Sequence, residues 1–235
     1  MCITVCTIFL YSGGQRDWIQ VVCNGGVATV AASLYIRDTG FGEQALDLFY
    51  KHCEPPAPML FAIACLSSLA CCCGDTWASE VGSVIGGTPR LITTWRCVPK
   101  GTNGGITLIG TLCSIAGGLI VGISYWITEA IFISLSNTNA YHLSLWSQYP
   151  YAIIGASAGL FGSVVDSLLG ATIQFTGYSK ELDKVVGMPD EGVKHISGFN
   201  VVNNHSVNFL SSLITALVIP ALWYGLVTNY IISDC

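Results

Sequence analysis

Residues 57–80 read APMLFAIACLSSLACCCGDTWASE: an apolar run carries no charge from Ala57 to Gly74, then meets Asp75, Thr76, Trp77 and Glu80. A bilayer crossing needs about 20 mainly apolar residues, so this run reads as a short membrane span ending in a polar cluster. Four further runs, near 18–36, 106–133, 149–173 and 207–232, have the same character. The run at 106–133 is longer than a straight crossing needs, which predicts tilt or a break. Only 10% of the chain is charged and 52% is hydrophobic, with a mean hydropathy of +0.61. Soluble domains carry roughly 25% charged residues, so the soluble globular class is excluded. The expected fold is an all-α, polytopic integral membrane helix bundle: one membrane domain over 1–235, with about five spans and a partial N-terminal apolar segment.

That segment, residues 1–11, is too short to span and lacks the basic start and cleavage pattern of a signal peptide. It reads as an interfacial stretch or the remnant of a truncated helix. The chain has 11 cysteines, most of them in or beside apolar runs, where a free thiol behaves as a small hydrophobe. Cys71, Cys72 and Cys73 are adjacent and lack the spacer of a C-x-x-C zinc site. Close packing and S-palmitoylation both suit them.

Orientation follows from the cations. Arg16, Arg90, Arg96, Lys100, Lys180, Lys184 and Lys194 fall on one side of the alternating spans, against Arg37 and Lys51 on the other. The positive-inside rule assigns the first side to the cytoplasm. Asp75 and Glu80 follow the end of the second span on that side, and Asp166 lies in the last third of the fourth. Asn24, Asn204 and Asn208 lie near span starts on the same side. Scattered solubilising residues would not gather this way, and a single cytoplasm-facing pocket is the economical reading.

An acid at membrane depth costs about 2.5–3.5 kcal/mol on insertion scales and marks a functional site by default. Asp75, Glu80 and Asp166 are therefore candidate catalytic and metal-binding residues. Oxygen ligands suit Mg²⁺, which takes one or two carboxylates together with substrate phosphates. Against this stands a plain interfacial cap, in which Asp75 starts a short helix and Trp77 sits at headgroup level.

The polar cytoplasmic loop 74–105 is rich in Gly, Thr, Ser and Pro. Its last part, Gly101-Thr102-Asn103-Gly104-Gly105, precedes a span, and a glycine turn at a helix N-terminus forms an anion site. Thr102, Asn103, Gly104 and Gly105 are thus candidate substrate-binding residues, with a simple turn as the alternative. Asn204 and Asn208 are candidates to orient substrate, or to bond a neighbouring helix. The loop 174–206 carries Lys, Asp and Glu and reads as ordinary solvated loop or a lid. His52, His142, His195 and His205 have no metal spacing, and no nucleic-acid motif is present. The segment GASAG at 155–159 reads as a helix-packing stretch.

The strings GDTWASEVG at 74–82, TPRLITTW at 88–95, GTNGGIT at 101–107, GSVVDSLLGA at 162–171 and NNHSVNFLSS at 203–212 occur in this order. Together they resemble the transmembrane protein 19 family of integral membrane proteins, which includes plant phytyl-phosphate kinases. The resemblance implies a polytopic helical fold and isoprenoid-phosphate chemistry, with a nucleoside triphosphate as phosphate donor. It assigns no reaction to the animal members, which this chain resembles most. That family begins with additional membrane segments, so the resemblance also implies an N-terminally shortened form. Lys100 stands where relatives have a neutral residue, and no general catalytic role is assigned to it.

The expectation is a multi-pass protein of an endomembrane, in contact with the lipid bilayer. Its expected activity is Mg²⁺-dependent, prenyl-phosphate kinase-like phosphotransfer to a prenyl or lipid phosphate. The alternatives are a transporter or flippase for a charged substrate and a non-catalytic structural membrane protein.

Overall fold

The computed structural model describes residues 18–40, 57–135 and 148–233. The expected N-terminal apolar segment, Arg16, Lys51, His52 and His142 lie outside the described residues. Five helices run α1 Trp18–Thr39, α2 Ala57–Ile85, α3 Leu108–Leu135, α4 Pro150–Ile173 and α5 Asn204–Ser233. Each is long and apolar enough to cross a membrane. The chain is a polytopic, all-α integral membrane protein.

Helix α2 is the central element and packs against the other four. It does not stop at residue 73 but continues to Ile85, so the first third of the expected loop 74–105 is helix. Its hydroxyls explain the continuity. Thr76 donates back to the carbonyl of Cys72 at 2.8 Å and Ser83 to that of Glu80 at 2.9 Å, so these side chains bond within the helix instead of unwinding it. Asp75 is therefore a mid-helix residue, and the expected short helix starting at Asp75 does not exist.

Lipid supplies no hydrophobic drive between helices, so small residues that allow close contact hold such bundles together. A Cβ at Gly118 of α3 would lie 2.2 Å from the carbonyl oxygen of Gly155 on α4. A Cβ at Gly82 of α2 would lie 2.8 Å from Cα of Gly110 on α3. The α2–α3 and α3–α4 seams are thus backbone against backbone, and residues 155–159 serve packing. In one half of the bundle Met59, Ile63, Leu66, Tyr151, Ile154 and Ile219 form an apolar core.

The other end carries the connections. Strand β1 (Arg90–Leu91) pairs antiparallel with β2 (Gly105–Ile106). The segment 174–206, expected to be ordinary loop, folds into a three-stranded antiparallel sheet of β3 (Thr176–Ser179), β4 (Lys184–Val186) and β5 (Val193–Ser197), in the order β4-β3-β5. Leu91, Val98 and Ala171, with Ile92 and Ile196 against them, form a small core that ties both connections to α4. Arg90, Arg96, Lys100, Lys180, Lys184 and Lys194 all belong to these connections, whereas Arg37 sits in the last turn of α1. Cys23, Cys65, Cys71, Cys72, Cys73, Cys97 and Cys113 are free thiols.

Candidate functional site

Gly74 brings the acids together. A Cβ there would lie 2.7 Å from Cα of Gly159 on α4 and 2.7 Å from the carbonyl oxygen of Ser114 on α3. Only glycine allows this approach, and it places the next residue, Asp75, against α4, where Ser163 donates its hydroxyl to Asp75 Oδ1 at 3.2 Å. Asp166 is three residues beyond Ser163 and so shares its face of α4. Ser211 of α5 donates to Asp166 Oδ2 at 3.1 Å. The side chain of Asn208 completes the group: the amide orientation that satisfies both its ends has Nδ2 donating to Asp166 Oδ2 and to the carbonyl of Asn204, each at 3.2 Å. Asn24 of α1 lies 3.4 Å from the same amide.

These groups open into a cavity of about 500 Å³ at the end of the bundle that carries the two connections. Asp75, Glu80 and Asp166 line it, and so do Asn204 and Asn208. The turn Thr102, Asn103, Gly104 and Gly105 lines it as well. All nine residues singled out in the sequence thus border one space, together with Asn24.

The glycine turn presents backbone rather than side chains. The Thr102 hydroxyl donates to the carbonyl of Pro99 at 2.7 Å, and the Asn103 amide donates to that of Phe175 at 3.3 Å. Both side chains hold the turn in place. Gly104 has φ +76°, and a Cβ there would lie 2.5 Å from that of Ala171, so the turn is clamped onto α4 at a position closed to other residues. Two helix starts lie beside it. Thr107 Oγ1 accepts from the Gly110 amide at 3.0 Å and caps α3, while Asn203 Oδ1 accepts from the Ser206 amide at 3.0 Å and caps α5. Helix N-termini carry partial positive charge and favour anions.

Among the described residues, Lys100 is the one Lys or Arg that borders the cavity. Neither Asp75 nor Asp166 forms an ion pair among the described residues. Lys100 Nζ donates to the carbonyls of Ser83 at 2.9 Å and Val84 at 3.5 Å. It caps the C-terminus of α2, where a cation is favoured.

Among the described residues no three His, Cys, Asp or Glu side chains come close enough to hold a metal ion. Glu80 lies on the same helix as Asp75 and borders the same cavity. Five residues along a helix mean about 7.5 Å of rise and about 140° of rotation, which turns Glu80 to another part of the cavity wall. The remaining donors still suit Mg²⁺. Two carboxylates with neutral hydroxyl and amide neighbours, and no cation pairing with them, are the oxygen-rich set that this ion uses when phosphates supply other ligands.

Two members of the site were not singled out in the sequence, Ser163 and Ser211. The signal was helical spacing: Ser163 precedes Asp166 by three residues and Ser211 follows Asn208 by three, so each shares a face with its polar neighbour.

The model of the integral membrane protein DUF92 family matches residues 7–216. Protein PGR of Arabidopsis thaliana is 42% identical over 206 residues, covering 88% of this chain and 68% of that protein. An uncharacterized membrane protein of Methanocaldococcus jannaschii is 26% identical over 172 residues, 68% of this chain and 56% of its own length. Protein VTE6, chloroplastic, of Arabidopsis thaliana is 24% identical over 172 residues, 73% of this chain and 41% of that protein. No solved structure matches the chain.

Proposed function

This chain belongs to the DUF92 family of integral membrane proteins, and from that premise we propose that its cavity transfers a phosphoryl group to a membrane-borne prenyl or lipid monophosphate. The observation that carries the reading is the acid couple Asp75 and Asp166, without an ion pair among the described residues, lining one cavity with a glycine turn and the starts of two helices. That combination suits a metal-bridged phosphate. The finer resemblance to the transmembrane protein 19 group, with its phytyl-phosphate kinases, supports the same substrate class.

In the proposed reaction an oxygen of the acceptor monophosphate attacks the γ-phosphorus of a nucleoside triphosphate. A new P–O–P bond forms, the bond to the β-phosphate oxygen breaks, and the nucleoside diphosphate leaves with that electron pair. Phosphoryl transfer asks mainly for positioning and charge neutralisation. Asp75 and Asp166 would hold Mg²⁺, which supplies the charge that offsets the phosphates. Ser163, Ser211 and Asn208 fix the carboxylate orientations. The backbone of the 101–105 turn and the start of α3 receive phosphate oxygens. Glu80 acts from the wall of the cavity, outside the metal. The excess of basic residues at this end supports a cytoplasm-facing site in an endomembrane.

The test is phosphotransfer by the purified protein in detergent, with Mg²⁺, a panel of nucleoside triphosphates and prenyl monophosphates. Diphosphate product that is lost with EDTA and with Asp166→Asn is the expected result. A transporter that uses the same acids for a coupling cation is the competing reading, because an acid couple without a cation partner suits either role. Absence of product, with cation-dependent uptake into proteoliposomes, would favour it.

A further inference from the structure

The cavity must admit a phosphate whose tail stays in lipid, and the seams of the bundle differ in how tightly they close. Between α2 and α3, and between α3 and α4, glycine backbones touch: Gly117 would place a Cβ 3.0 Å from the carbonyl of Cys73, and Gly159 one 2.8 Å from Cα of Gly118. A tail cannot pass there without parting backbones. The α4–α5 seam is bonded beside the acids by Ser211 to Asp166 at 3.1 Å, and the connection leading into α5 is tied to α4 by the Phe199 amide, which donates to the carbonyl of Thr172 at 2.9 Å.

Helix α1 is held differently. Only Val27, Ala28 and Ala31 are buried along its length. Its Gln20 and Asn24 reach the cavity. By helical rotation, Val21 and Gly25 lie together on one flank of the face that carries Gln20 and Asn24. Val21 is 69% exposed, and a Cβ on Gly25 would meet nothing within 4 Å. This flank adjoins the cavity-lining pair Gln20 and Asn24, and among the described residues nothing covers it at Gly25.

Resting on the reading above, we propose that the hydrocarbon tail of the monophosphate leaves the cavity sideways along the Val21–Gly25 flank of α1, and that the missing side chain at Gly25 sets the tail length the site accepts. The phosphate stays at the acids, the first tail segment passes the Asn24 side chain, and the rest lies against α1 in the bilayer.

The experiment substitutes Gly25→Trp, which the open space tolerates and which improves helix propensity. Gly225→Trp serves as control, because a Cβ there also meets nothing within 4 Å but α5 has by then passed well beyond the cavity. Gly25→Trp should raise the ratio of short-chain to long-chain prenyl monophosphate turnover by about tenfold or more, the scale of a blocked hydrophobic contact, and Gly225→Trp should leave it unchanged. Equal losses on both chain lengths, or no change, would overturn the proposal while leaving the phosphotransfer reading standing. If wild-type protein turns over neither substrate, that reading fails, and the route is then tested by binding alone. A prenyl monophosphate with a photoreactive diazirine in its tail should label peptides containing Val21 and Gly25, and lose that labelling in Gly25→Trp. Labelling confined to other helices would sink it.

Discussion

Ser211 on α5 donates its hydroxyl to Oδ2 of Asp166 on α4 at 3.1 Å, joining two helices through an acid inside an apolar span. The serine fixes one oxygen of the carboxylate of Asp166, a residue that lines the cavity. Hydrogen bonds to charged groups contribute about 1.5–3 kcal/mol, and partners that orient a metal ligand change affinity for the ion about 10–100-fold.

Ser211→Ala should therefore raise the Mg²⁺ concentration for half-maximal activity by about tenfold or more, with a smaller change at saturating Mg²⁺. A Mg²⁺ titration of turnover decides it. Equal loss at every Mg²⁺ concentration would place Ser211 in packing only.

Asp75→Asn and Asp166→Asn should each abolish turnover while the protein remains inserted and monodisperse. Glu80→Gln should retain measurable activity with an unchanged Mg²⁺ dependence, because Glu80 is turned away from the acid couple. Similar metal titrations for Asp75→Asn and Glu80→Gln would return Glu80 to the ligand set.

Gly118→Leu should break the α3–α4 seam, since even a Cβ would fall 2.2 Å from the Gly155 carbonyl oxygen. Overpacking of this kind costs about 1–3 kcal/mol or more. A lower melting temperature and poor recovery in detergent are expected. Gly225→Leu, in open space, should behave as the parent.

Asn203→Ala should remove the cap from α5, which costs about 1 kcal/mol. The expected result is a modest fall in melting temperature. Because the start of α5 borders the cavity, a weaker affinity for the phosphate substrate should accompany it, read as a raised KM at unchanged kcat.

Cys97 is exposed in the connection between α2 and α3, beside Arg96. A membrane-impermeant maleimide should label it in intact cells only after the plasma membrane is permeabilised, with the endomembranes left closed. Labelling that instead requires detergent would reverse the orientation inferred from the basic residues.

The five spans were legible in the chain because apolar length alone decides a crossing, and each expected run matches a helix, two of them beginning one or two residues before it. The end of α2 was not legible. Asp75, Thr76 and Glu80 look like a break, yet hydroxyls bonding back within the helix carry it to Ile85. The segment 174–206 was equally opaque: strands of three to five residues such as Lys184–Val186 and Val193–Ser197 are too short for a period to declare itself. The site residues could be named because acids and amides are costly among apolar neighbours. Their partners Ser163 and Ser211 were marked only by helical spacing, a weak signal because a serine in a span usually satisfies itself on its own backbone.

By itself, the sequence determined that five of its segments are long and apolar enough to cross a membrane and that its costly polar groups lie near one end. Both follow from transfer free energy, which each residue carries wherever it is placed. Tertiary structure alone decided which acids meet. Gly74 lets α2 and α4 touch, so Asp75 and Asp166 share a site through Ser163 and Ser211, while Glu80, equally acidic and on the same helix as Asp75, borders another part of the same cavity. Proximity across helices depends on crossing points set by backbone contact, and no local property of the chain encodes those.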